Sequence, residues 1–273
     1  MSFRSQSVPA RAMRDPHLLP VRAVTFDRVA RVYRIAEHLL LGRSLSRARC
    51  EHLPALGNTR RALVLGDGDG RFLAALLRAA PGLRATAVDS SGEMLRLLSE
   101  RCSFAMDRVE VWQADVLSST QQLQPPPWLA ASPGYDLIAT HFFLDCFTET
   151  EIARLVPAIR GCLQPGGLWV LSEFRVPPRG LFRLPARLVV RVLYLVFRAL
   201  TGLRPTRLPP FASHLREAGL VPVCTRHSLA GLLTAELWQL PGRAAGRESE
   251  GDAACEGLVP RSCQTSDRPP PIR

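Results

Sequence analysis

An α/β fold, with a mostly parallel sheet covered by helices on both faces, is predicted by the order of segments between residues 60 and 175. Three observations carry the prediction. Ala62-Leu63-Val64-Leu65 is a short apolar run closing on a glycine-rich turn, and Phe72, Leu73, Leu76 and Leu77 follow at helical spacing. The same strand-to-helix alternation then recurs along the chain. Finally, Pro165-Gly166-Gly167 is a natural turn between a helix and the strand after it.

Taken in order, the first unit is strand 62–65, turn and helix. A strand near 84–89 and a helix near 92–101 follow, then a strand near 108–113 and a connection rich in Gln and Pro. Strand 136–141, helix 149–163 and strand 168–174 complete the block. Further on, 211–218 reads as a helix stopped by Gly219, with short strands near 220–225 and 232–239. The expected organisation is a mobile lead over 1–20, a helical lid over 21–58, a main α/β domain over 59–240 and a disordered tail over 241–273. The tail is rich in Gly, Ser and charge and ends near Pro269-Pro270-Pro271.

The chain has 273 residues and a formal charge of +11, and all 35 of its basic residues are arginine. Lysine chemistry is therefore excluded: no Schiff base, no phosphate-loop lysine and no kinase-type lysine. The seven cysteines are scattered and never spaced as C-x-x-C, so neither a metal site nor a disulfide framework is expected. No signal-peptide core is present, and a cytoplasmic setting is the expectation. Charge is unevenly distributed: 11 arginines face four acids in 1–60, 10 face 13 in 61–175, and nine face two in 176–240. An acidic centre lies between two basic flanks.

In open α/β sheets ligands bind beyond the carboxyl ends of the strands. There the first strand presents Gly66-Asp67-Gly68-Asp69-Gly70, whose glycines allow positive φ and close approach of a ligand to the backbone. The second presents Asp89-Ser90-Ser91, where a carboxylate can accept from ribose hydroxyls. The third presents Asp115 and Val116, and the fourth Thr140-His141-Phe142-Phe143. Individually these also read as a surface loop, a helix N-cap at Asp89 or Ser90, and a solvated loop acid. Their register on successive strand ends favours a ligand site.

On these residues the sequence resembles the class I S-adenosylmethionine-dependent methyltransferases, well over 60–175 and more loosely over 20–60 and 176–240. The resemblance implies a Rossmann-like seven-stranded sheet whose last two strands form an antiparallel pair. It implies S-adenosyl-L-methionine as cofactor, with Gly66, Gly68 and Gly70 at its amino acid part, Asp89 at the ribose and Asp115 at the adenine amine. Met94 is similar to the family's apolar residue against the adenine, or is helix core. Ser90, Val116 and Thr140 flank these positions. Phe26-Asp27-Arg28-Val29-Ala30-Arg31-Val32-Tyr33 resembles the lid entry of ubiquinone and menaquinone-biosynthesis methyltransferases, which makes Tyr33 a cofactor contact. One departure is Val64, where the family has an acid two residues before the first glycine. Asp67 or Asp69 is expected to take part of its role.

The acceptor pocket is expected near Thr140 to Phe143, with His141 as candidate base and Asp145 and Glu149 assigned to the start of the next helix. His141 as a strand cap is the alternative. The Asn-Pro-Pro-Tyr segment used on nucleobase amines is absent, and basic-aromatic clusters are lacking, so nucleic acid is not the expected partner. Segment 181–203 carries Arg183, Arg187, Arg191 and Arg198 within about 80° of a helical wheel on an otherwise apolar helix, an amphipathic insertion suited to a lipid-like acceptor or to peripheral membrane contact. The expectation is methyl transfer to a small, apolar or lipid-like molecule. A non-catalytic adaptor of the same fold is the alternative, and a nicotinamide-dependent oxidoreductase fits the glycine spacing less well, since Arg71 stands where its third glycine belongs.

Overall fold

The computed structural model describes residues 13–14, 42–122, 124–130, 134–177 and 208–242. Tyr33, residues 21–41 of the lid expected over 21–58, the segment 181–203 expected to be helical, and the tail lie outside the described residues, apart from the beginning of the last at 241–242.

Within the described residues, eight strands form one sheet: β1 (Met13–Arg14), β2 (Arg61–Leu65), β3 (Arg84–Asp89), β4 (Val109–Gln113), β5 (Tyr135–His141), β6 (Leu163–Phe174), β7 (Val221–Ser228) and β8 (Leu233–Gln239). Their spatial order is β1-β4-β3-β2-β5-β6-β8-β7. Only β8 runs antiparallel to its neighbours β6 and β7; the remaining pairings are parallel. The seven-stranded expectation is met by β2 to β8. The two-residue β1, paired with Trp112 and Gln113, falls in the expected mobile lead and is too short to leave a periodic signal.

The strands read as continuous apolar runs because both faces of the sheet are covered. Along β2, Ala62 and Val64 point into one core with Phe72, Leu73, Leu76 and Leu77 of α2 (Arg71–Ala79) and Leu95 and Leu98 of α3 (Gly92–Arg101). Leu63 and Leu65 point into the other, with Ile152, Leu155 and Ile159 of α5 (Glu149–Gly161) and Leu215 of α6 (Phe211–Glu217). The short α4 spans Val116–Ser119, and α1 (Gly42–Cys50) seats Leu45 and Ala48 against Phe142, Phe174 and Leu233.

The boundary between α5 and β6 differs most from the sequence reading, and β7 runs to Ser228, three residues beyond its expected end. Helix α5 stops at Gly161 and β6 already begins at Leu163, because Tyr135 pairs with Leu163 before the register shifts to Leu137 and Leu168. Gly166, at φ +83°, makes the irregularity possible, so the Pro-Gly-Gly turn is absorbed into the strand.

Candidate active site

The carboxyl ends of β2 to β6 gather the candidate residues. Gly66, Gly68 and Gly70 all have positive φ, between 64° and 79°, so the turn leaving β2 is open to glycine and strained for any other residue. A Cβ at Gly66 would meet the Phe143 ring, at Gly70 the Leu98 backbone at 2.9 Å, but at Gly68 only Met94 Sδ at 3.6 Å. Gly68 and Met94 are thus brought together, and the backbone at Gly68 is the accessible part of the turn.

Both acids of the turn have work inside the protein. Asp67 is buried and accepts from the amides of Leu73 (2.9 Å) and Phe72 (3.4 Å), closing the first turn of α2. Burial pushes its carboxyl up to about 7, against the Leu73 amide and the Arg49 guanidinium, which favour the charged form. Asp69 pairs with Arg71 (3.1 Å) and Arg101 (2.8 Å), and Arg101 also donates to the Asp69 carbonyl, tying the turn to the end of α3. Neither carboxylate stands in the open position that replacing the acid at Val64 would need; Val64 itself is core.

At the end of β3, Asp89 Oδ1 accepts from the Ser91 amide at 2.9 Å. The cap of α3 is Ser91, whose hydroxyl accepts from Met94 N at 3.2 Å, rather than Asp89 or Ser90. Beyond β4, Asp115 caps α4 by accepting from Ser118 N at 3.2 Å, and Val116 is buried beside it. Asp89 and Asp115 lie one beyond the other because β3 and β4 pair in parallel with Asp89 opposite Gln113.

Thr140 and His141 are enclosed. The Thr140 hydroxyl accepts from Trp169 Nε1 at 2.9 Å and its side chain is fully buried. His141 lies against the Phe72 ring, 4.3 Å between centroids, with Nδ1 3.1 Å from Ser172 Oγ. Burial holds its proton affinity well below the usual imidazole range, reinforced by Arg49 and His52. The imidazole is therefore enclosed in the interior. A second imidazole, His52, donates from Nε2 to the Ala235 carbonyl at 3.0 Å, so Ala48 of α1 and His52 just after it are fastened to β6 and β8 by buried polar contacts.

The segment after His141, part of the expected acceptor pocket, meets a residue that the sequence did not single out, Glu173. Phe142 adopts φ +53°, a left-handed conformation that disfavours a bulky side chain, and Arg49 lies over its ring at 5.1 Å. Phe143 and Phe147 meet edge to face at 5.0 Å. Asp145 belongs to a 3-10 turn, Leu144–Cys146, not to the start of α5; that helix is capped by Thr148 and Glu151 in a reciprocal capping box, with Glu149 in its exposed first turn. From β6, the wholly buried Glu173 reaches across, its Oε1 accepting from Phe143 N (3.2 Å) and Leu144 N (2.9 Å). Only a buried acid in an otherwise apolar strand, Leu171-Ser172-Glu173-Phe174, marked it in the sequence. Among the described residues, no group of three His, Cys, Asp or Glu side chains is placed to hold a metal ion.

The description "Methyltransferase domain" belongs to the family profile that matches residues 63–169. No curated protein matches the chain in sequence. Among solved structures, an O-methyltransferase family protein from Burkholderia thailandensis superposes with TM-score 0.61 at 20% identity, over 81% of this chain and 62% of that one. An O-methyltransferase family 2 protein from Planctomyces limnophilus, in complex with apigenin, gives 0.56 at 22% identity, over 77% and 61%. The N-methyltransferase NodS from Bradyrhizobium japonicum, in complex with S-adenosyl-L-homocysteine, gives 0.52 at 16% identity, over 72% and 88%. The chain spans about three fifths of the length of the first two.

Proposed function

We propose that this chain, which matches a methyltransferase domain profile over residues 63–169 and shares the fold of solved methyltransferases, is a class I S-adenosylmethionine-dependent methyltransferase and transfers a methyl group to a small acceptor with an apolar body. One observation carries the reading: the glycine turn after β2, Asp89 after β3 and Asp115 after β4 stand side by side on three adjacent parallel strands.

The residues fit the cofactor. Gly68, where a Cβ would project toward Met94, supplies a backbone that a ligand can approach closely. Asp89 would hold the ribose hydroxyls, with Ser90 beside it; Asp115 would face the adenine amine, with Met94 and Val116 as apolar walls; and Gly66 to Gly70 would receive the amino acid end. When bound, the cofactor supplies an electrophilic methyl group, so the protein's task is to hold the acceptor, exclude water and manage its proton. His141, neutral and enclosed, serves in this reading to seat α1. The rings of Phe142, Phe143, Phe147 and Phe174 supply an apolar acceptor surface beside the turn, since Phe143 covers Gly66. A lipid-like acceptor and peripheral membrane contact rest on the sequence of 181–203 alone, and binding to anionic against neutral liposomes with Arg187 and Arg191 replaced tests them.

Calorimetric titration with S-adenosyl-L-homocysteine and S-adenosylmethionine is the decisive measurement. Micromolar binding, lost on Asp89→Ala, is expected; no binding of either ligand would favour the non-catalytic adaptor. An untargeted search for metabolites gaining one methyl group then identifies the acceptor.

A further inference from the structure

Burying a carboxyl group is unfavourable unless hydrogen bonds or an opposite charge compensate it. Glu173 is completely buried, and only one of its two oxygens is compensated. Oε1 takes the amides of Phe143 and Leu144, the Asp145 amide also favours the charged form, and Oε2 has no hydrogen-bond partner. The leading charged influence on it is Asp145, another acid, so the pair adds repulsion to desolvation. Burial and this repulsion hold the Glu173 carboxyl well above the usual carboxylate range, while burial pushes Asp145 up to about 6. The Cys146 thiol, 3.6 Å from Asp145 Oδ1, is raised by burial first, then by Asp145, Glu173 and Asp89. Acids from β3, from the turn after β5 and from β6 therefore face one region, next to the edge-to-face rings of Phe143 and Phe147.

Such a pair keeps one proton and one negative charge between its two carboxyls near neutral pH, because like charges in a buried site do not both ionise. The described carboxylates are not placed to hold a metal ion. A monovalent cation with N–H donors satisfies what is missing: it neutralises the charge, gives Oε2 a partner, and its apolar body lies against aromatic faces that favour cations.

We propose that Glu173 and Asp145 form the acceptor's polar subsite and that the acceptor is a primary or secondary amine on an apolar body, bound as its ammonium. Ahead of methyl transfer, one N–H bond of the bound ammonium breaks and one O–H bond forms on the carboxyl pair. The electron pair stays on nitrogen, leaving a neutral amine beside a neutral acid pair. This rests on the methyltransferase reading above and names its substrate class.

The test uses the full chain saturated with S-adenosyl-L-homocysteine and matched probes differing only in the polar group: phenethylamine against 2-phenylethanol, and hexylamine against hexanol. At least one amine is expected to bind ten-fold or more tightly than its alcohol, and Glu173→Gln and Asp145→Asn are each expected to remove that preference while S-adenosyl-L-homocysteine affinity changes less than two-fold. Equal binding of both amines and their alcohols overturns the proposal, as does an amine preference that survives both substitutions. Loss of S-adenosylmethionine affinity in the variants with S-adenosyl-L-homocysteine affinity unchanged and the amine preference intact also overturns it, assigning the pair to the sulfonium. Failure of wild type to bind S-adenosyl-L-homocysteine is a distinct result that removes the methyltransferase reading itself. Thermal melting of both variants separates loss of binding from loss of fold, and Asp145, half-buried in its turn, is the substitution the fold tolerates better.

Discussion

The Ser172 hydroxyl donates its single proton to the Ala48 carbonyl at 2.8 Å, and therefore accepts from His141 Nδ1 at 3.1 Å. This fixes the imidazole tautomer: Nδ1 carries the hydrogen, and Nε2 is a buried lone pair with no hydrogen-bond partner. The contact joins β5, β6 and helix α1 through one hydroxyl. Ser172→Ala would leave the His141 N–H and the Ala48 carbonyl without their partner, and a loss of ~1–3 kcal/mol is expected. Urea unfolding measures it, with an unchanged midpoint counting against the latch.

His141 also sets an acid-side limit. Its folded-state proton affinity lies below the ordinary 6.5 because burial opposes charge. Below pH 6.5 the unfolded chain takes up a proton that the native state refuses, so stability is present above that pH and lost as pH falls. Replacing the ring by a neutral one, His141→Phe, is expected to flatten the stability profile between pH 6.5 and 5. A slope equal to that of wild type would remove His141 as its source.

Asp67 acts in the opposite direction. Its carboxyl is raised from an ordinary 3.8 to about 7, so between those values the native state keeps a proton that the unfolded chain has lost. Stability therefore falls as pH rises from about 4 to about 7. Asp67→Asn retains an oxygen for the Leu73 amide without the charge, and it is expected to be more stable than wild type at pH 8, by roughly 2–4 kcal/mol at most. Chemical denaturation of both proteins at pH 5 and pH 8 tests this; a difference independent of pH would contradict it.

The three glycines of the turn are expected to separate into different phenotypes. Gly70→Ala drives a Cβ into the Leu98 backbone and should lower the melting temperature most. Gly68→Ala has room beside Met94 but retains a left-handed strain of about 1 kcal/mol or more and places a methyl where a ligand approaches. It should fold and bind S-adenosyl-L-homocysteine at least ten-fold more weakly. The reverse order in paired melting and calorimetry experiments would refute this assignment.

Asp89→Asn should also weaken S-adenosyl-L-homocysteine, by about ten-fold, corresponding to about 1.4 kcal/mol, since an amide offers one acceptor where two ribose hydroxyls need two. Its oxygen still receives the Ser91 amide, so thermal stability is expected to change little. Equal affinities would move the ribose contact elsewhere.

Much of the fold was legible before any coordinates. Apolar runs such as Ala62–Leu65 and Leu137–Ala139 have a period and length that identify buried strands, while Gly66-Asp67-Gly68-Asp69-Gly70 requires backbone angles found at β2's end. The positions of Asp89 and Asp115 beside that turn follow from the parallel register of β2, β3 and β4, which the strand-helix alternation already implied. These are local patterns, and local physics is what a sequence displays.

Tertiary structure decided which of those side chains are available. Asp67 and Asp69 look alike in the sequence, yet one turns inward to cap α2 and the other outward to Arg71 and Arg101. His141 reads as a candidate base in the sequence, and its enclosure comes from Ser172, 31 residues away, which in turn bonds Ala48, 124 residues from Ser172. Glu173 gains its meaning only when β6 lies beside β5 and its unpaired Oε2 comes to share a buried region with Asp145. The sequence by itself determined the layers of this protein and the end of the sheet that gathers the candidate site. The protonation and exposure of individual groups were left to packing, because desolvation and hydrogen bonding depend on neighbours far away in the chain.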